Sequence, residues 1–265
     1  MVDTTTDLIA LRDLAVRAAR AGGEQARGHF RDPTLAVERK HDSSPVTIAD
    51  REAEAVIKRT LLEARPDDGW LGEETGTATG TSGYRWIVDP IDGTKNFVRG
   101  VPLWATLVAC EQDLDGRSEV VASAVYLPGL NEMYDAWRGG GARCNDAAIA
   151  VSGVTELGDA LWCFETPGWF AEMGLTAVFD ALCAQTQLQR GLGDAFGHML
   201  VASGRAEVVV EPSLSVWDVA ATSLVVREAG GRFSALDGSD TIRANNAVVT
   251  NGALHEAVLG IIAAA

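Results

Sequence analysis

The stretch "WIVDPIDGTKNF", residues 86–97, runs from an apolar segment straight into two aspartates, Asp89 and Asp92, with only Pro90 and Ile91 between them. A turn needs at most one Asp or Asn. Two carboxylates this close repel each other unless a cation or a buried proton sits between them. "RWIVDP" predicts a short strand ended by Pro90, so both acids leave a strand end, where a turn can aim side chains into a cleft. A hard cation such as Mg²⁺ takes oxygen ligands, and few from the protein, because it keeps waters and substrate phosphate oxygens. Two aspartates with the Ile91 carbonyl between them suit that demand. Pro90 stiffens the turn, Gly93 lets backbone N–H groups approach a ligand closely, and Thr94 adds a hydroxyl. An ordinary Asp-rich surface turn accounts for the same residues.

Composition narrows the choice. The chain has 265 residues, 47% of them apolar, which is enough for a large core in one domain or in two packed halves. Its net charge of −15 argues against general nucleic-acid binding, which needs a basic footprint. If the protein handles a phosphate ester, a bound divalent cation must attract the anion, because bulk charge will not. Cys110, Cys144, Cys163 and Cys183 are scattered without a C-x-x-C pair, so they are expected to be reduced and mostly core thiols. No apolar run reaches membrane length. "MVDTTTDLIALRDLA" lacks the basic-then-apolar order of a signal peptide, so a cytoplasmic location without membrane contact is expected.

Apolar residues at helical spacing (Leu8, Leu11, Leu14, Ala15, Ala18) predict a helix over 7–28. "ERKHDSSPVTIAD" is polar and turn-rich, and Asp50 is placed to N-cap a second helix, "REAEAVIKRTLLEARP". "LWATLVACEQ" and "VVASAVYLP" predict paired strands, and "NEMYDAWRGGGARCND" a further strand and a glycine turn. Beyond residue 155 come a strand "ALWCFET", a single helical run "AEMGLTAVFDALCAQ", a strand "TQLQRG", a helix "DAFGHMLVASGR", a strand "AEVVVEP" and a helix "WDVAATSLVVREAGG" closed by glycines. Hairpins mix with crossovers, which predicts an α+β or mixed α/β fold in layers. Two halves, 1–150 and 151–265, are expected to form one compact unit.

Other acids each have a plain explanation. Glu73 and Glu74 in "LGEET" resemble an acidic pair on a solvated face, and Asp218 in "SVWDVAA" an N-cap. Together, carboxylates at the starts and ends of elements could converge on two or three metal ions, which would bind phosphate, lower the pKa of water and stabilise a leaving oxygen.

The set "PVTIAD", "GEE", "WIVDPIDGTKNF" and "VWDVAA…VREAGG", in this order across nearly the whole chain, resembles the inositol monophosphatase family of Mg²⁺-dependent, lithium-sensitive phosphatases. The resemblance implies a layered α/β/α/β/α sandwich, usually a homodimer, acting on a small phosphorylated substrate through direct in-line attack of a metal-activated water. It implies Glu73, Asp89, Asp92, Asp218 and the Ile91 carbonyl as metal ligands, with Asp89 bridging two ions and Glu73 helping to hold the water. Thr94 paired with Asp50 would activate that water, and the Gly93 and Thr94 N–H groups would hold the phosphate beside Asp92. A non-catalytic relative that binds anions or proteins is the competing reading, and the intact set of these acids argues against it.

Within the family, "DGTKNFVRGVPLWATLVA" is most similar to the bacterial histidinol-phosphate phosphatases, where inositol monophosphatases more often have T-N-F-x-H-x-x-P. "RGLGDAFGH" is a second point of similarity. Asp194 falls where inositol-specific relatives often carry a small residue, and Glu211 falls where the family contacts the leaving group. Two carboxylates there suit the ammonium and imidazole of histidinol better than a neutral polyol. Asp194 as an N-cap is the alternative. L-Histidinol phosphate is therefore the expected substrate, in histidine biosynthesis. Inositol 1-phosphate or a broad set of small monoesters comes next, and a nucleotide 3′-phosphate third. Histidines 29, 41, 198 and 255 show no ligand-like grouping, and His198 is expected to pack or face solvent. Lys95 and Arg99 receive no role.

Overall fold

The computed structural model describes residues 5–39, 45–114 and 116–265. It starts with helix α1 (Thr5–Arg27), a short antiparallel pair β1 (Val37–Arg39) and β2 (Pro45–Thr47), and helix α2 (Ile48–Ala64). Strands β3 (Gly69–Gly72), β4 (Gly76–Ala78) and β5 (Tyr84–Asp92) follow, then a one-turn helix α3 (Thr94–Val98). Strands β6 (Ala105–Leu114), β7 (Arg117–Leu127), β8 (Glu132–Trp137), β9 (Ala142–Cys144) and β10 (Ala147–Ile149) complete an eight-stranded sheet of order β10-β9-β8-β7-β6-β5-β3-β4. Only β3 and β5 pair in parallel in it.

The rest of the chain adds β11 (Leu161–Cys163), α4 (Pro167–Glu172), α5 (Thr176–Gln185), β12 (Leu188–Arg190), α6 (Asp194–Ala202) and β13 (Val208–Glu211). Helix α7 (Val216–Glu228), β14 (Arg232–Ser234), β15 (Ala247–Thr250) and α8 (His255–Ala264) end it. The second sheet has five strands, ordered β12-β11-β13-β15-β14.

Alternation along the strands sorts these parts into layers. Trp86, Val88, Val108 and Cys110 face Leu8, Leu11, Leu14 and Ile57 of α1 and α2. The residues between them, Ile87, Leu107 and Ala109, face the opposite way, onto Met199 and Val201 of α6 and Val219 and Val225 of α7. From the other side Val209 and Val249 of the second sheet close on the same two helices, while Val208, Val210 and Val248 turn outward to α5 and α8. The result is the expected layered α/β/α/β/α sandwich, with α6 and α7 as its middle layer. None of the described helices is long and apolar enough to cross a membrane. Cys110 and Cys163 are buried, Cys144 and Cys183 half-buried, and none of the four forms a disulfide.

Several local expectations need correction. The helical run 171–185 is two helices, broken at Gly174, whose φ of 74° leaves the helical region. Asp50 and Asp218 do not cap α2 and α7. Thr47 and Ser215 do, and each Asp sits three residues on, its side chain accepting from the cap residue's backbone N–H. Asp194 is not an N-cap either; it has a φ of 55° and makes no capping hydrogen bond. The C-terminal stretch "AVVTNGALHEAVLGIIAAA", to which no element was assigned from the sequence, supplies β15 and α8. Residues 40–44 of the polar segment, His41 included, lie outside the described residues.

The correction that matters most concerns Pro90, which does not end its strand. β5 continues to Asp92 through a bulge: Asp89 pairs with Leu107, but Asp92 pairs with Ala105, so three steps on β5 match two on β6. In a regular strand, residues three apart point to opposite faces. The extra residue returns Asp92 to the face of Asp89, the one turned toward α6 and α7. Proline fits a bulge because it has no N–H to give to the ladder. The Thr106 hydroxyl, fully buried, donates to the Pro90 carbonyl at 2.8 Å and fixes the distortion. Thr106→Val keeps the shape and removes this donor. It should lower stability by about 1–2 kcal/mol, seen as a lower urea midpoint with unchanged slope; an unchanged midpoint would show that the bulge does not depend on Thr106.

Candidate active site

Four strand ends and two helix starts meet at one cavity of about 410 Å³. Strand β5 brings Asp89, Ile91 and Asp92 to its floor. The turn after β3 brings Glu73, the turn after β11 Glu165, and the end of β13 Glu211, while α6 and α7 present Asp194 and Asp218 from their first turns. The positive ends of both middle-layer helices therefore point into an acidic cavity.

Asp89, Asp92 and Asp218 each place one oxygen within 4.8 Å of the others. Glu73 and Asp218 both lie within hydrogen-bond reach of Asp89. Burial, and then the charges of Glu73, Asp92 and Asp218, push the Asp89 carboxyl well above the usual range. Asp92 is pushed up likewise, by burial and by Asp194 and Asp218, although it accepts the Ala195 N–H at 2.8 Å. Asp218 is pushed up to about 7 by burial, against the opposing Ser215 N–H. These groups cannot all carry charge at neutral pH without a cation. As a set of hard oxygen donors beside a backbone carbonyl, two of them buried and Asp218 half-buried, they fit a divalent ion such as Mg²⁺.

Two glycines are required where they stand. Gly93 has a φ of 79°, open to a residue without Cβ, and begins the turn that carries Thr94. A Cβ on Gly72 would come within 2.7 Å of both the Glu54 carboxyl and the Trp70 indole nitrogen. Glu54 itself is fully buried and accepts the N–H groups of Glu74 at 2.8 Å and Thr75 at 2.9 Å, which fixes the turn that presents Glu73.

Asp50 and Thr94 are not hydrogen-bonded to each other. The Thr94 hydroxyl donates to the Ile91 carbonyl at 2.9 Å, and Asp50, buried, accepts both the backbone N–H and the hydroxyl of Thr47 at 2.8 and 2.7 Å. Burial raises the Asp50 carboxyl, with Glu73 contributing in the same direction.

Away from the aspartate floor the cavity holds a second acidic group: Glu165, Asp194 and Glu211. Burial raises Asp194 well above its usual value, and Glu165 and Glu211 add to the rise. Burial also raises Glu165, opposed by Lys95. Lys95 reaches Glu165 at 3.2 Å and lies 4.3 Å from the centre of the Trp169 ring. Arg99 lines the cavity as well. The Asp194 backbone N–H donates to Glu211 at 3.0 Å, and Asn96 reaches the Asp194 carboxyl at 3.4 Å. His198 neither faces solvent nor merely packs, for its ring bonds Glu211 at 3.0 Å. Glu54, Glu165 and Trp169 escaped the sequence reading, as did the bond of His198 to Glu211. "FETPGW", an acid and an aromatic just past a strand, was the one local signal among them.

The inositol monophosphatase family model matches residues 7–265. The chain is 44% identical to a histidinol-phosphatase of Mycobacterium tuberculosis over 93% of its length and 95% of that protein's. It is 38% identical to an inositol-1-monophosphatase of Mesorhizobium japonicum, over 94% of this chain and 95% of the relative. The solved structure of the extragenic suppressor protein SuhB from Bartonella henselae superposes with a TM-score of 0.88 at 32% identity, covering 96% of this chain and 98% of that one. The chain belongs to the inositol monophosphatase family.

Proposed function

We propose that this phosphoric monoester hydrolase acts on L-histidinol phosphate with Mg²⁺ as its cofactor, releasing L-histidinol and phosphate in histidine biosynthesis. The observation that carries the substrate choice is the group Glu165, Asp194 and Glu211, three carboxylates facing one cavity with Lys95 as the cation bonded among them. A leaving group with an ammonium and an imidazole finds partners there; a neutral polyol leaves buried charges poorly matched. The histidinol-phosphatase relative supports the same choice.

In this reading Asp89, Asp92, Asp218, Glu73 and the Ile91 carbonyl hold divalent cations. Bound there, Mg²⁺ supplies the charge that neutralises the phosphate and the Lewis acidity that lowers the pKa of water. The first turn of α3, with Gly93 and Thr94, positions the phosphate over the floor. Asp50 and Thr94 orient the attacking water once the Thr94 hydroxyl turns from the Ile91 carbonyl toward Asp50. Asp194 and Glu211 hold the leaving group.

Three outcomes are expected. Phosphate release from L-histidinol phosphate should exceed that from myo-inositol 1-phosphate about a hundredfold at equal low concentration, some 2.7 kcal/mol of transition-state discrimination. Asp194→Ala should shrink the ratio. Comparable rates in the wild type would instead favour an inositol or broad monoesterase. Asp89→Asn should abolish turnover while circular dichroism stays native; retained turnover would remove the metal assignment.

The third concerns pH. Asp218 in the folded state holds a proton that the unfolded chain has released between about pH 4 and about 7, the window set by the ordinary Asp value of 3.8 and its own raised value, and Asp89 and Asp92 are raised in the same direction. The penalty is absent below that window and grows as pH rises through it. In EDTA the Tm contribution of this cluster should therefore fall as pH rises from 5 to 8. The gain on adding Mg²⁺ should be larger at pH 8 than at pH 5, and equal gains would contradict a cation site built from these groups.

A further inference from the structure

We infer that His198 is a positioning residue for the leaving-group carboxylate Glu211, and so a determinant of substrate choice. The inference rests on the proposed role of Glu211. His198 is 1% exposed, in the interior of α6. Its Nε2 lies 3.0 Å from Glu211 Oε2 and its Nδ1 lies 2.8 Å from the hydroxyl of Thr222. Asp194, four residues earlier on the same helix face, donates its backbone N–H to the other oxygen, Glu211 Oε1, at 3.0 Å. One face of α6 thus grips both oxygens of the carboxylate.

In the bond to Glu211 the ring serves as donor through Nε2 and the carboxylate accepts. Thr222 completes the ring on its other side in either charge state. Its hydroxyl donates to a bare Nδ1, or accepts from Nδ1–H while donating to the Val219 carbonyl at 3.2 Å. Thr222 is four residues after Asp218 on α7. The imidazole therefore ties the carboxylate that meets the leaving group to the helix that carries a floor aspartate. Each Glu211 oxygen keeps one lone pair for a ligand, with the carboxylate plane fixed in advance.

The test compares His198→Asn, whose short amide cannot reach Glu211, with His198→Gln, whose amide nitrogen can stand in for Nε2. The readout is the KM for L-histidinol phosphate relative to that for glycerol 2-phosphate, whose leaving group is uncharged. A ratio taken within one variant is unaffected by the fraction of folded enzyme. His198→Asn should raise the ratio about tenfold, His198→Gln should restore most of it, and His198→Asn should add nothing in a Glu211→Gln background. An unchanged ratio in His198→Asn, or equal ratios in both variants, overturns the inference. If Glu211→Gln alone leaves the ratio unchanged, the reading of Glu211 fails and takes the inference with it. If Glu211→Gln changes the ratio and His198→Asn does not, only the inference fails.

Discussion

Asp89 and Asp92 share a face of the larger sheet because the strand between them carries one residue more than its partner. The rest of the site is arranged around that offset. Without it one aspartate would point into the layer of α1 and α2, the side of Trp86 and Val88, and away from its partner. With it, both meet the first turn of α7. Proline at the extra position and a buried threonine hydroxyl on its carbonyl hold the distortion in place, so the geometry of the floor is set by the backbone before any ligand arrives.

A chain with net charge −15 that handles a phosphate ester must reverse its own field locally. Two features do so. The middle-layer helices α6 and α7 both start at the cavity and turn their positive ends toward it. The floor carboxylates, crowded and desolvated, create a demand for cations that few other groups on the surface could match. Burying so many acids is costly to the fold, and a bound cation would offset that cost. The same crowding separates the two ends of the cavity in chemistry: oxygen donors packed closely enough for a metal at the floor, and acids spread more widely with a lysine among them beyond it.

The layered fold and the acids of "WIVDPIDGTKNF", "GEE" and "VWDVAA" were legible because each lies in a short segment whose pattern is local. What was misjudged was local geometry that depends on a neighbour. Pro90 reads as a strand end until β6 is seen to pair on both sides of it. Asp50 and Asp218 read as caps, although "TIAD" and "SVWD" each place a hydroxyl residue three positions before the acid, the spacing of a capping box. Glu54, Glu165 and His198 were illegible for a different reason. Glu54 acts on a turn 20 residues away and His198 reaches across two elements, and nothing within either segment separates such a residue from one that only packs.

Lys95, on the first helix turn after β5, meets Glu165 from the turn after β11 and Trp169 from α4, and its side chain is 53% exposed. Coulomb attraction at such a position is screened over roughly 10 Å in 0.1 M salt, whereas the buried floor is shielded from that screening. Ionic strength thus acts unequally on the two ends of one cavity. The Lys95–Glu165 pair, in contact at 3.2 Å with its lysine half open to solvent, is thus the part of the cavity that added salt reaches first, while the carboxylates of the floor keep their mutual repulsion.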